Sequence, residues 1–306
     1  MSEAVTGNAS GENGGYKARP YDPSRPVAFM HIQKTGGNSL SEALRGALKP
    51  RASFGAFDRF LFGDFADFES MSEESRGKIL FASHGLPPGL DFLAGHISFS
   101  AMSQAYPLAQ FVTVLREPMS RLISLWLFSR STTDQYLEPW GKWADVVRQS
   151  HRPLKDFLRA QNLACATDNV CVRMLLWPHP LLRSNAVIAP RDDETLLLEA
   201  KCRLKHFCFV DLLENPELVT NLQNWLERPL VLRRLNETNN IPDSLKSPMA
   251  AELDSETEGL IESHSRLDLR LWLEVAGQRM PESDARMLRD QIITANLSNF
   301  SRLMGN

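Results

Sequence analysis

Short apolar runs alternate along this chain with stretches of helical periodicity. Val27 to Ile32, "VAFMHI", is a mostly apolar run of strand length. After it, Leu40, Ala43, Leu44, Ala47 and Leu48 recur at i, i+3, i+4, i+7 and i+8, one apolar face of a helix. Ser39 with Glu42 three residues later is a capping box and predicts that this helix starts at Ser39. Gln110 to Arg116, "QFVTVLR", is the clearest buried strand, and it runs directly into "EPMSRLISLWLFSR", a helix with Pro118 in its first turn. Met119, Leu122, Ile123, Trp126 and Leu127 form that helix's buried face, and Glu117, Ser120, Arg121 and Ser124 fall on its polar side. Asp91 to Ser98 reads as a short strand or strand end. His206 to Leu213 reads as another strand, followed by the helix "NPELVTNLQNWLE". Two long helices follow late in the chain, "TEGLIESHSRLDLRLWLEVAGQ" and "PESDARMLRDQIITANLSNFSRLM". Strands taking turns with helices predict an α/β fold, a mostly parallel sheet covered by helices on both faces.

The domain reading follows from where this alternation stops. Met1 to Pro20 is rich in Gly, Ser, Asn and Glu and has no basic-then-apolar start, so residues 1–24 are expected to be a disordered tail and not a secretory signal. Residues 25–306 are expected to form one domain, with a mainly helical insertion or lid at about 131–184. No window approaches the ~18 apolar residues of a membrane span. With 34 Lys+Arg against 37 Asp+Glu, the chain as a whole shows no sign of binding nucleic acid. Cys165, Cys171, Cys202 and Cys208 form two C-x5-C pairs, a spacing unlike that of zinc sites. Either a Cys165–Cys171 disulfide or four reduced thiols is compatible with it.

The candidate chemistry sits at the two strand-to-helix junctions. A turn alone does not require Lys34, a cation placed where the unpaired N–H groups of a helix start already make the potential positive. A bound phosphate would use both. Arg116 stands at the carboxyl end of the second strand, where ligands collect in open α/β sheets. Arg116 and Ser124 could share a second phosphate between a guanidinium and a hydroxyl. Together the junctions describe a ligand with two separated anionic groups.

"HIQKTGGNSL" together with "FVTVLREPMSRLISLW" resembles the sulfotransferases that use 3′-phosphoadenosine 5′-phosphosulfate (PAPS), in particular the carbohydrate branch containing the heparan sulfate 2-O- and 6-O-sulfotransferases and bacterial relatives. The resemblance runs in order from about Pro26 to Gly277 and implies a P-loop-like sulfotransferase fold. It implies that Lys34, Thr35, Gly36, Gly37, Asn38 and Ser39 hold the 5′-phosphosulfate and that Arg116 and Ser124 hold the 3′-phosphate. "AGHISF" is similar to the family's Gly-His segment, which makes His96 the catalytic base. Looser echoes are "NVCVRMLLW" with Arg173, "LNETNN" and "RLDLRLWLEVAG". Asn38 and Glu117 depart from the family's usual Thr and Asp. Asn can still donate to a phosphate.

The resemblance implies sulfuryl transfer from PAPS to a carbohydrate hydroxyl, with Lys34 stabilising the leaving phosphate oxygen and no metal. A glycolipid or small-molecule alcohol is the alternative acceptor. A phosphate-loop kinase fits less well, because its lysine follows the glycines, whereas Lys34 precedes them. A non-catalytic binding protein on the same fold is a further alternative. His31 is expected to pack within the first strand, and His84, in "SHGLPPG", could line a mouth. Arg51, Arg59, Arg76 and "RQSHRPLK" could touch an anionic polysaccharide or simply be solvated. Trp126, Trp140, Trp143 and Trp177 are aromatics near the cleft. A bacterial cytoplasmic location is the expectation, with a Golgi-lumenal enzyme separated from its anchor as the alternative.

Overall fold

The computed structural model describes residues 19–62, 71–80, 85–233, 241–281 and 283–305. His84 and the "LNETNN" stretch lie outside the described residues. In chain order the strands are β1 (Val27–Met30), β2 (Ser53–Phe54), β3 (Phe57–Asp58), β4 (Ile79–Leu80), β5 (Phe92–Gly95), β6 (Gln110–Leu115) and β7 (Phe207–Leu212). The longer helices are α1 (Gly37–Leu48), α2 (Phe99–Ala105), α3 (Pro118–Arg130), α4 (Val170–Leu176), α5 (Asp193–Leu204), α6 (Leu218–Leu226), α7 (Ser255–Arg279) and α8 (Ala285–Leu303).

Five strands form one sheet in the order β2-β5-β1-β6-β7, with every pairing parallel, and β3 and β4 make a separate parallel pair. Every residue of β1, β6 and β7 is buried, as a sheet covered on both faces requires. Alternation divides β1 between two cores. Ala28 and Met30 face the core shared with α4, α5 and α7, and Val27 and Phe29 face the core shared with α1 and α6. β1 is central, so its carboxyl end, where the chain turns into α1, lies between β5 and β6. Met30 is level with Gly95 on one side and Thr113 on the other.

Three expectations change. α1 begins at Gly37, not Ser39. Gly36 is its N-cap in the left-handed region (φ 74), and Ser39 falls within the first turn. The capping box is not the start signal; the left-handed glycine is. The polar side of α3 is not solvated. Glu117 is fully buried and Ser120, Arg121 and Ser124 nearly so, because α8 and the insertion cover them. Asn296 of α8 donates to the Ser120 hydroxyl, and Arg121 donates to the carbonyls of Ala166 and Thr167. Finally, Arg19 to Ser24, placed in the tail by composition, are tied to the domain. The Trp225 indole donates to the Arg19 carbonyl (2.8 Å), and the Asp22 N–H donates to the Gln110 side chain (2.7 Å).

The 131–184 segment is a chain of short helical turns, among them Asp134–Leu137, Trp143–Arg148 and Leu154–Arg159. It packs with α3, α7 and α8 in a third core. None of the four cysteines forms a disulfide among the described residues. No described helix is long and apolar enough to cross a membrane.

Candidate active site

The β1–α1 loop is shaped by two residues at positive φ, Lys34 (65°) and Gly36 (74°). For Lys34 this is an uncommon backbone state, held by its surroundings. The Thr35 hydroxyl is wholly buried and donates to the Ile32 carbonyl (2.9 Å), closing the loop. An Arg116 N–H donates to the Lys34 carbonyl (3.0 Å), so the two strand-to-helix junctions are physically joined. Successive N–H groups of such a loop and of the first turn of α1 form a cradle for an anion.

Two glycines permit close approaches there. A Cβ on Gly37 would lie 1.8 Å from Cδ2 of His31, so the His31 ring rests directly on the helix start. A Cβ on Gly36 would come within 2.8 Å of Leu213, in the loop after β7. The β1–α1 loop is therefore closely packed on both sides, with the His31 ring leaving no room for a methyl at position 37.

The Lys34 ammonium lies 3.9 Å from the centroid of the Phe128 ring, and no carboxylate among the described residues pairs with it. Burial, and then the Arg116 charge, lower its pKa to about 8. Arg116 is likewise lowered by burial, against the opposing pull of Glu214 and Glu117. Neither carboxylate is free to act elsewhere. Glu117 caps α3, accepting from Met119 N–H and Ser120 N–H, and pairs with Arg289 at 3.1 Å. Glu214 accepts from the Glu117 N–H and the Trp272 indole. Glu117 is thus committed to structure.

His96 follows the carboxyl end of β5. Its carbonyl accepts from the Asp58 N–H (2.8 Å), and Gly95 before it approaches Ala56 so closely that a Cβ would lie 2.3 Å from that carbonyl oxygen. Its ring stands 4.2 Å from the His31 ring and 5.4 Å from Phe57. Nδ1 of His96 is 2.6 Å from the His31 carbonyl. A carbonyl can only accept, so Nδ1 carries the hydrogen and Nε2 keeps a free lone pair in the neutral ring. Burial lowers the His96 pKa, the bond to His31 opposes this, and the Lys34 charge adds to the lowering, giving about 4. At neutral pH His96 is therefore an unprotonated acceptor.

Lys34, Gly36, Gly37, Asn38, His31 and His96 border one cavity of about 250 Å³. Its remaining walls come from Phe57, Leu61, the α3 residues Leu125 and Phe128, and the 131–184 insertion. Trp140 and Trp143 line it, whereas Trp126 is buried in the third core and Trp177 stacks on Phe60.

The other predicted residues are placed differently. Ser39 points to the far face of α1, beside Glu42, Ala43 and Gly46. Ser124 lies two turns into α3, 8% exposed, outside the cavity walls. Arg173 is a correction. It is fully buried, pairs with Asp168 at 2.6 Å and donates to the carbonyls of Asp168, Arg183 and Ala186. Four of its five N–H groups are thereby used in joining the insertion to α4, so it holds structure and not ligand. Reading the sequence missed His31 as a site residue. Its signal was its place one residue beyond the strand and three before Lys34, which puts it at the mouth and not inside the strand.

No protein-family model matches the chain, and no curated protein matches it significantly.

Proposed function

We propose that this protein is a sulfotransferase that moves a sulfuryl group from PAPS to an acceptor hydroxyl. One observation carries the reading. A lysine with no carboxylate partner among the described residues, at a glycine-rich helix start, shares a cavity with a neutral histidine whose tautomer is fixed to leave Nε2 available. The loop N–H groups and Lys34 would hold the 5′-phosphosulfate, and Arg116, bonded to the Lys34 carbonyl, would lie toward the 3′-phosphate with Ser124. His96 Nε2 takes the proton of the acceptor hydroxyl as its oxygen attacks sulfur. The bond from sulfur to the bridging phosphate oxygen breaks, and Lys34 stabilises the charge growing on that oxygen. The family resemblance implies a carbohydrate acceptor, with a glycolipid or small-molecule alcohol as the alternative.

Calorimetry with 3′-phosphoadenosine 5′-phosphate (PAP), the product of the donor, tests this. Micromolar binding that is lost in Lys34→Ala and Arg116→Ala, with weak ATP binding, is expected. Preference for ATP with magnesium would replace the reading with a nucleotide-dependent phosphate-loop enzyme.

A further inference from the structure

The cavity in front of Lys34 and His96 changes character with depth. At the loop it is polar. Beyond the Phe128 ring its walls are Leu125, Leu137, Trp143, Val146, Val147 and Leu163, all from α3 and the insertion. Lys34 is the single cation among its described lining residues. Resting on the donor reading above, the geometry points to an acceptor that is a small, uncharged hydroxyl compound with an apolar body, its hydroxyl at His96 and its body in the insertion's apolar pocket.

Three observations support this occupant over an anionic polysaccharide. First, an aliphatic and aromatic wall rewards apolar area removed from water and leaves sugar hydroxyls without partners. The described polar side chains at the apolar end are few: Ser129, Thr132, Tyr136 and Asn162. Of these, Thr132 already donates to the Ser129 carbonyl at 2.6 Å.

Second, three of the basic residues that could attract a polyanion are paired or placed elsewhere. Arg148 pairs with Asp134 and Asp145, and Lys155 pairs with Asp254 and Glu256. Arg51 reaches Asp91, immediately before β5, which places it at the amino end of the parallel sheet. The candidate site is at the opposite, carboxyl end.

Third, a volume of about 250 Å³ lies just below the ~300–1,000 Å³ of pockets that enclose drug-sized molecules. It fits one or two rings or a short chain, with the sulfuryl group at the loop.

The transfer balances with the groups already named. The acceptor O–H bond gives its proton to His96 Nε2, an oxygen–sulfur bond forms, and the sulfur–oxygen bond to the phosphate breaks with its electron pair leaving on PAP.

The test uses the whole chain and 2-naphthol as probe. Calorimetry measures 2-naphthol binding to the free protein and to its PAP complex, and labelled PAPS measures transfer to 2-naphthol and to N-sulfated heparosan. Saturable 2-naphthol binding is expected, with sulfation of 2-naphthol and none of the polysaccharide. Trp143→Ala and Val146→Asp should weaken 2-naphthol binding about tenfold or more, as loss of an aromatic anchor or a buried charge does. PAP affinity in the same variants should stay within about twofold, showing that they are folded. Absence of 2-naphthol binding, with or without PAP, overturns the acceptor proposal, as does sulfation of the polysaccharide alone. Binding of 2-naphthol by a protein that does not bind PAP overturns the donor reading and leaves the apolar pocket standing.

Discussion

On the proposed reading, the lowered pKa of Lys34 makes donor binding pH-dependent in a range where few other groups titrate. The cause is structural. The ammonium is half-buried over the Phe128 ring and feels the charge of the Arg116 guanidinium, and both the lost solvation and the nearby positive charge favour the neutral amine, at a pKa of about 8. A phosphate in the cradle favours the charged form and raises that pKa in the complex. Binding is therefore fully supported below pH 8 and weakens as pH rises above it. Henderson–Hasselbalch arithmetic leaves about nine tenths of Lys34 protonated at pH 7 and about one tenth at pH 9. The apparent Kd for PAP should thus rise about tenfold across that interval, since the binding-competent fraction falls by that factor. The ligand's own phosphates, with a second pKa of about 6, are already ionised there. His31 is held well below its ordinary value by burial, so it is neutral throughout, as is His96. Calorimetry from pH 7 to pH 9.5 measures the slope. Lys34→Arg, whose guanidinium stays charged, should flatten it whatever its absolute affinity. A pH-independent Kd in the natural protein, or the same slope in Lys34→Arg, would refute the argument.

Four further outcomes follow from the same contacts. His96→Asn, whose amide can still donate to the His31 carbonyl, should lower transfer by ~10²–10⁴-fold in labelled-donor assays while PAP binding stays unchanged. Gly37→Ala drives a methyl into the His31 ring and should cost about 1–3 kcal/mol in denaturant melts, together with most of the transfer activity. Gly46→Ala, in the same helix with nothing within 4 Å of the new Cβ, should instead stabilise by about 0.5–1 kcal/mol. Arg173→Ala strands the buried Asp168 carboxylate and should cost about 3–5 kcal/mol, yet PAP affinity of the folded fraction should match that of the natural protein; a selective loss of PAP binding would return Arg173 to the donor site.

The sheet was legible because its central strands are buried on both faces and so read as unbroken apolar runs; β1, β6 and β7 all fall inside the segments expected of them. The two-residue strands β2, β3 and β4 were not, since two residues carry no period. Nor was α5 identified, although Leu196, Leu197, Ala200 and Leu204 make a helical stripe. The errors at the site share one cause. Sequence shows that a residue is polar but not which partner satisfies it. Arg173 was assigned to the ligand, and Arg121 was placed only on a polar helix side; the fold buries both against carbonyls of the insertion and its neighbours. Ser39 and Glu42 satisfy a local pattern, yet the helix start is decided by the αL state of Gly36 and by the His31 ring that excludes a side chain at position 37. Lys34, Gly36 and Gly37 were readable because their chemistry is unusual for a turn, and that unusualness does not depend on a distant partner.

His31 joins these pieces into one electrostatic unit. Its ring sets the packing of the helix start, its carbonyl fixes the proton on His96 Nδ1, and its burial keeps it neutral. Among His31, His96 and Lys34, only Lys34 is charged at neutral pH. That charge is also one of the two influences holding the His96 pKa down. On the proposed reaction, the arriving phosphosulfate neutralises Lys34 and removes that influence, leaving burial alone to oppose protonation of His96. The base therefore becomes somewhat stronger when the donor is in place, although burial, the larger influence, remains, and the proton it takes is then held near the negative charge that develops on the leaving phosphate. A hydroxyl entering the cavity without donor would meet a weaker base, so on this reaction the lysine that stabilises the leaving group also couples the basicity of His96 to the presence of the donor.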